Sequence, residues 1–446
     1  MIGLRHEPGR RAQPAHGDSV VARVLARCDH LARISDEPGR ITRSYFSPAL
    51  ERAMARVADW MEKAGLAVER DGAGNGIGVL PSGRSGAPVL VLGSHLDTVR
   101  DAGRYDGVLG VLLALEVAAS FGPGDLPFDL EVVAFADEEG LRFGAPFLGS
   151  RALVGELDAG HLALTDARGM TLAGALRAWR GKGSDPVPPP YRYRDRRTLG
   201  YLEAHIEQGP WLEARELPVG VLECLCAARW LRLRFAGRAG HAGTTPMDLR
   251  RDPMPAAAEV VLAAERLARE REGLVATVGS LEVSPGAGNV IPGEVELRLD
   301  VRHPNVRALE AAVAELLDSG HDAARRRHVE LTVEILSRED GAEADPLLAE
   351  MLAEAASRAG VAAGSLVCGA GHDALILARH MPMAMLLLRS PGGVSHHPDE
   401  AVLLEDVEAA FRVMRQFVEQ MAGRVAPETA EAGAEKAEGA LIGARG

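Results

Sequence analysis

The chain has 446 residues, long enough for two to three domains, with 47% apolar and 25% charged residues. Its 50 basic residues against 63 acidic ones leave a formal net charge of −13, which argues against a general nucleic-acid binder with a basic face. Lys63, Lys182 and Lys436 are its only lysines. None stands in a setting that suits a Schiff-base enzyme, and Gly181-Lys182-Gly183-Ser184 lacks the glycine and hydroxyl positions of a phosphate loop.

Residues 1–17 are rich in Arg, Gly, Pro and His without periodicity and are expected to be a mobile tail, as is the Ala/Glu/Gly-rich stretch 425–446. Helical spacing covers Val20–Ile34, Leu50–Ala64 and Val108–Phe121, and the short apolar runs Val89–Leu92 and Leu130–Phe135 between them read as buried strands. The alternation predicts an α/β domain with a central sheet flanked by helices. The pattern changes past Gly209. Residues 219–236 read as strands, Pro253–Glu272 as a helix, Val275–Val283 and Glu294–Val301 as strands, Asn305–Arg326 as a helix and Val329–Leu336 as a strand. That order suits an inserted α+β domain at 213–337, an open-faced sheet with two helices on one side. Helices at Pro346–Ala359 and Leu404–Met421, with the apolar run 383–388, return to the first domain, which therefore spans 18–212 and 338–424.

Four cysteines, Cys28, Cys224, Cys226 and Cys368, are too few for a disulfide framework, and Cys224 and Cys226 read as buried reduced thiols on one face of a strand. No apolar run approaches the roughly 20 residues of a bilayer span and no secretory signal is evident. A cytosolic protein without membrane partners is expected.

Five segments concentrate histidine and acid beside glycines or strand ends. Gly93-Ser94-His95-Leu96-Asp97-Thr98-Val99 follows the strand Val89–Leu92, where ligand sites of open α/β sheets gather. His95 there could bind metal and Asp97 could accept the second imidazole N–H. Tyr105-Asp106-Gly107 precedes an apolar helix, where Asp106 by itself reads as an N-cap. Asp137-Glu138-Glu139 ends the strand Leu130–Phe135, and carboxylates clustered at a buried terminus call for cations. His205-Ile206-Glu207-Gln208-Gly209 and Gly393-Val394-Ser395-His396-His397-Pro398-Asp399-Glu400 complete the set. Together they supply the mixed N/O donors that suit Zn²⁺ or similar ions, with adjacent glutamates able to divide metal binding and proton transfer.

In order and spacing, GSHLDTV, YDGVLG, FADEEGLRF, HIEQG, RAGHAGTTPM and GVSHHPDE resemble the dinuclear metallo-amidohydrolases related to aminoacylase and carboxypeptidase G. The likeness covers roughly 20–420 and points to the subgroup of N-carbamoyl-L-amino-acid hydrolase, β-ureidopropionase and allantoate amidohydrolase. It implies two divalent ions per subunit, Zn²⁺ or Mn²⁺ with Co²⁺ or Ni²⁺ as alternatives. Asp106 would bridge them, His95 and His205 would complete one site, and Glu139 and His396 the other. Glu138 would be the general base that returns its proton to the departing nitrogen, and Asp97 would support His95. The family has Asn where this chain has His397; register from Ser395 favours His396 as the ligand, with His397 a stand-in. In the inserted domain, His241 matches a lid histidine that stabilises the oxyanion and reaches a partner subunit's site, which implies a homodimer. Asn289 and Arg302 match substrate-holding residues, and a guanidinium can grip a carboxylate with two hydrogen bonds. Gln208 marks the subgroup as a further substrate contact, and His372 in Gly371-His372-Asp373-Ala374 would either touch substrate or support its loop. The implied reaction is hydrolysis of a ureido C–N bond in a small carboxylate. Allantoate comes first because DAGRYDGVLG resembles bacterial chains of that activity, ahead of N-carbamoyl-L-amino acids and β-ureidopropionate; a non-catalytic metal-bound scaffold is the remote alternative.

Overall fold

A computed structural model of the chain describes residues 19–180 and 191–425. In chain order the elements are α1 (Val20–Ala32), α2 (Pro48–Lys63), β1 (Ala67–Arg70), β2 (Gly76–Leu80), β3 (Val89–His95), α3 (Val108–Ala119), β4 (Asp129–Phe135), α4 (Leu148–Leu153), α5 (Ala159–Ala163), α6 (Leu172–Arg180), β5 (Thr198–Ile206) and β6 (Val219–Leu225). There follow β7 (Ala227–Ala236), β8 (Gly240–His241), α7 (Pro253–Glu270), β9 (Val275–Ser284), β10 (Val290–Ile291), β11 (Glu294–His303), α8 (Val306–Arg326), β12 (Glu330–Glu339) and β13 (Ala342–Glu343). The chain closes with α9 (Pro346–Arg358), β14 (Ala363–Cys368), α10 (Ala374–Leu377), β15 (Met383–Leu388) and α11 (Leu404–Val425).

Two units result. The first, within 1–221, 345–364 and 372–446, holds a mixed sheet in the order β1-β2-β4-β3-β5-β15, ending on the first residues of β6. Strand β3 is parallel to β4 and β5, and β15 is parallel to β5, whereas β2 runs antiparallel to β4. All seven residues of β3 are buried, as befits a parallel strand covered on both faces. Helix α3 is apolar on nearly all sides because it is buried between neighbours, packing against β3, β5, α1 and α11. Its one charged residue, Glu116, is buried and reached by Arg23 and Arg27 of α1 at 2.9 and 2.7 Å. Local signals set the helix starts: Ser19, Ser47 and Asp345 each accept a hydrogen bond from a first-turn amide, with Pro48 and Pro346 opening their helices.

The second unit comprises 222–344 and 365–371. Its four-stranded antiparallel sheet has the order β12-β7-β11-β9. Helices α7 and α8 pack on each other and on this sheet through Leu231, Leu233, Phe235, Val260, Leu297, Leu309 and Leu316. The boundaries differ from 213–337. Residues 213–221 stay with the first sheet because β6 pairs with β15 through Val221, and β14 returns to β6 and brings 365–371 into the second unit.

Helix α11 continues to Val425, past the expected end at Met421. The expected tail 1–17, the rest of 425–446 and the Lys182 loop lie outside the described residues. Cys28, Cys224 and Cys368 are buried and none of the four cysteines is in a disulfide, but Cys226 is only half-buried, against the expectation for it. Among the described residues no helix is long and apolar enough to cross a membrane.

Candidate metal centre

The parallel strands β3, β4, β5 and β15 end at the same edge of the sheet, and the site is built there. His95 is the last residue of β3, Glu138 and Glu139 follow β4, His205 is the last but one residue of β5, and His396 comes from the loop after β15. Asp106 arrives from the loop entering α3. The N-cap of that helix is Gly107, with φ of 66° and no side-chain capping bond, so the capping reading of Asp106 is corrected and its carboxylate turns into the site. A Cβ on Gly107 would lie 2.4 Å from the His95 ring; a glycine is what lets that ring sit against the helix start.

Three groups of side chains converge, each with ligand atoms within 4.8 Å of one another: His95, Asp106 and His205; His95, Glu138 and Glu139; Asp106, Glu139 and His396. His205 Nε2 lies 3.1 Å from Asp106 Oδ1, and His396 Nε2 lies 3.2 Å from Asp106 Oδ2 and 3.7 Å from Glu139 Oε1. His397 points elsewhere, towards Asp399, and belongs to none of the groups.

The donor set suits a cation. His95 Nδ1 is 3.0 Å from the Asp97 carbonyl and His205 Nδ1 is 2.9 Å from the Ile206 carbonyl. A carbonyl can only accept, so each Nδ1 carries the proton and each Nε2 presents a lone pair to the cluster. The Gly107 amide, which donates to His205 Nε2 at 3.2 Å, agrees with that tautomer. Among the described residues no Lys or Arg pairs with Asp106, Glu138 or Glu139. Burial raises the Glu138 carboxyl well above the usual range, helped by Glu139, Asp373 and Asp97 against the pull of His95. Burial likewise pushes Glu139 up to about 7, with Asp106 adding to it. Asp106, although desolvated, is held well below the usual range by His205, His396 and His95. Lone pairs and carboxylates crowded together in a buried site need positive charge, which no Lys or Arg among the described residues supplies there.

Surrounding residues hold these groups in place. Asp97 lies against His95 and also holds the acidic loop. Its carboxylate oxygens accept the amides of Glu138 and Glu139 at 3.0 and 3.1 Å, while it is its backbone carbonyl that takes the His95 Nδ1–H; the carboxylate is 3.5 Å from that nitrogen. Asp97 thus anchors the acidic loop as much as the histidine. Gln208, at φ of 61°, donates its amide to Asp106 Oδ1 at 3.2 Å and to Ser395 Oγ at 3.1 Å. His372 is buried with its ring edge-on to His205, centroids 4.3 Å apart; burial and the nearby His205 and His95 hold its pKa well below the usual imidazole value.

In the second unit, β8 and β10 pair His241 with Val290, and the Ala242 amide donates to the Asn289 carbonyl at 3.0 Å. His241 and Asn289 are therefore neighbours, and both are exposed. Arg302 is engaged on three sides: Nε and Nη2 donate to the Asp300 carboxylate at 3.0 and 2.6 Å, and Nη1 to the Gly369 carbonyl at 2.5 Å.

Sequence reasoning missed Glu203 and Glu400. Glu203 is fully buried and accepts from Ser94 Oγ, Tyr201 Oη and the Ala374 amide at 2.9, 3.0 and 3.1 Å. Glu400 accepts the amides of Tyr105 and Asp106. Glu400 closes the GVSHHPDE segment, so a signal was present; Glu203, two residues before His205, was masked by the strand's alternation.

A model of peptidase family M20/M25/M40 matches residues 91–420. The chain is 38% identical to a probable allantoate deiminase of Oryza sativa subsp. japonica, over 93% of this chain and 92% of that protein. It is 39% identical to an N-carbamoyl-L-amino acid amidohydrolase of Geobacillus stearothermophilus, over 90% of this chain and 98% of that one. Its structure is similar to that of a hydantoinase/carbamoylase-family amidase from Burkholderia multivorans, with a TM-score of 0.83 and 31% identity over 90% of this chain and 98% of the other.

Proposed function

The chain belongs to peptidase family M20/M25/M40, and from that premise we propose that it is a cytosolic, metal-dependent hydrolase of the ureido C–N bond in a small carboxylate, allantoate first. N-carbamoyl-L-amino acids are the alternative, since the two kinds of relative are 38% and 39% identical to it, with β-ureidopropionate behind them. The observation that carries the reading is the convergence of His95, Asp106, His205, Glu139 and His396 around the buried Glu138.

His95, Asp106 and His205 would hold one divalent ion, and Asp106, Glu139 and His396 a second, Asp106 being shared; Zn²⁺ or Mn²⁺ suit this donor set, with Co²⁺ or Ni²⁺ as alternatives. When bound, such ions polarise the scissile carbonyl and acidify the attacking water. Glu138 is the general base. Its burial raises its proton affinity, so that it accepts a proton as the water attacks and delivers it to the departing nitrogen. Asp97 keeps Glu138 in place through its backbone amide. Gln208 orients Asp106 and faces the substrate. His241 stabilises the oxyanion, and Asn289 and Arg302 hold the substrate, its carboxylate on Arg302. His372 packs its ring against His205.

Homodimerisation through the second unit accompanies this reading. Strand β9 is an edge of its sheet, with Leu281 exposed, and α7 exposes Leu262; an open edge beside exposed apolar side chains favours pairing with another copy.

The deciding experiment measures ammonia release by metal-loaded protein with allantoate beside a panel of N-carbamoyl-L-amino acids and β-ureidopropionate. Turnover of allantoate above the others supports the first reading, and preference for a carbamoyl amino acid replaces it with the second. A metal-replete protein inert towards every ureido compound overturns both and favours the scaffold, while hydrolysis of peptides in their place makes it a peptidase.

A further inference from the structure

We infer that Glu400 is a positioning residue of the metal centre, whose buried carboxylate fixes Asp106 and His396 relative to each other through a closed ring of hydrogen bonds. The inference rests on the reading of Asp106 and His396 as metal ligands.

Glu400 is 4% exposed. Its Oε1 accepts the backbone amides of Tyr105 at 2.7 Å and Asp106 at 3.0 Å. Its Oε2 accepts the Ser395 hydroxyl at 3.3 Å. Ser395 Oγ in turn accepts one N–H of the Gln208 amide at 3.1 Å, and that amide donates to Asp106 Oδ1 at 3.2 Å. The ring thus runs from Glu400 to Asp106, Gln208, Ser395 and back. The Gln208 amide has two N–H groups, directed at Asp106 and Ser395 with His396 Nε2 a longer third contact at 3.4 Å, and the single Ser395 O–H goes to Glu400.

The ring joins three segments remote in sequence. Asp106 lies at the entry to α3, Gln208 beyond β5, and Ser395, His396 and Glu400 in the loop after β15. The Glu400 amide donates to the His397 carbonyl at 3.1 Å, so the carboxylate rides on the turn that carries His396. Glu400 also presses on the Asp106 loop, since a Cβ on Gly103 would come within 2.3 Å of its Oε1. The backbone of Gln208 and His396 shows why a clamp is needed. Both are left-handed, with φ of 61° and 55°, a conformation disfavoured for residues with a Cβ that persists only where surrounding structure imposes it. The ring is that structure. Without it the Asp106 carboxylate loses its Gln208 donor, and the His396 turn loses its tie to the opposite side of the site.

The test compares Glu400→Ala, Glu400→Gln and Ser395→Ala with wild type in three measurements: Zn²⁺ and Mn²⁺ retention against a competing chelator, melting of the metal-stripped proteins, and kcat and KM after reloading. Glu400→Ala should weaken retention of the more loosely held ion by roughly tenfold or more, as expected for residues that orient metal ligands, and lower kcat by a similar factor while KM moves less. Glu400→Gln keeps the acceptor for both amides and a hydrogen-bonding group towards Ser395, and should recover most of the loss. Ser395→Ala should fall between the two, and it carries the test if Glu400→Ala does not fold. Ion retention equal to wild type in Glu400→Ala or, failing that variant, in Ser395→Ala overturns the inference, and so does a Glu400→Gln protein as impaired as Glu400→Ala. A wild-type chain that binds neither ion overturns the metal reading and this inference with it. A wild type that binds both beside unimpaired variants overturns this inference alone.

Discussion

The Nε2 atoms of His95 and His205 face each other across 3.4 Å, each with its Nδ1 against a backbone carbonyl. Two imidazole lone pairs at that separation repel, and Asp106 Oδ1 stands 3.1 Å from one of them. A cation between them turns the repulsion into coordination. Stripping divalent ions with a chelator is therefore expected to lower the melting temperature, and Zn²⁺ or Mn²⁺ at a hundredfold excess over its dissociation constant should return about 2.7 kcal/mol. Calorimetry of stripped and reloaded protein checks this; identical melting curves would count against a metal at this site.

Glu138 has no Lys or Arg partner among the described residues and is anchored by its own amide on Asp97. Glu138→Gln preserves shape and that anchor but cannot accept a proton. Turnover should fall by about 10² to 10⁴-fold, the usual worth of a general base, with metal content and melting temperature near wild type. Undiminished kcat would remove Glu138 from proton transfer.

Arg302 is already paired with Asp300 and the Gly369 carbonyl, which leaves the guanidinium charged and its plane fixed. If it receives the substrate carboxylate, Arg302→Ala should raise KM by roughly ten- to a hundredfold, the worth of a charge-assisted hydrogen bond, with a smaller change in kcat. Arg302→Lys should recover only part, because an ammonium cannot keep the two-pronged geometry. Steady-state kinetics with allantoate decide it, and an unchanged KM would reassign Arg302 to a purely structural pair.

Gly107 leaves no room for a side chain. Its φ of 66° disfavours any residue with a Cβ, and that Cβ would meet the His95 ring at 2.4 Å. Gly107→Ala is expected to displace His95 and cost most of the metal affinity and activity, read by metal analysis of the dialysed protein. Full metal retention would show that the ring can yield.

Away from the site, Glu131 on β4 is fully buried and holds Arg192 at 2.9 Å, Arg196 at 2.7 Å and the Tyr193 hydroxyl at 3.1 Å. Removing the carboxylate leaves the buried Tyr193 hydroxyl without its acceptor and takes one of two counter-charges from each guanidinium, Arg192 keeping Glu69 and Arg196 keeping Asp129. Glu131→Ala should destabilise the protein by about 2 kcal/mol while kinetics at low temperature stay close to wild type. Denaturant unfolding measures the first and an activity assay the second; a loss below about 0.5 kcal/mol, the scale of an ordinary surface substitution, would show that solvent replaces the carboxylate.

Local chemistry in the sequence was enough to place the main elements and the segments of the site. The apolar run of β3, the all-round apolar α3 and the capping residues Ser19 and Ser47 are short-range signals, each written within one turn or strand. The histidines and acids at the ends of β3, β4 and β5 were legible for the same reason. What those residues do to one another was not. Asp106 by itself reads as a helix cap and becomes a ligand only through the family resemblance; the fold supplies the physical reason, with Gly107 in the cap position. Asp97 reads as a partner of the neighbouring His95 until β4 brings the amides of Glu138 and Glu139 onto its carboxylate. Register from Ser395 favours His396 over His397, and the left-handed turn at His396 supplies the reason, sending one ring into the cluster and the other towards Asp399. Glu400 reaches an amide 294 residues away. Spacing along the chain carries no record of such a contact, because it is made by strands that the parallel sheet brings to a common edge.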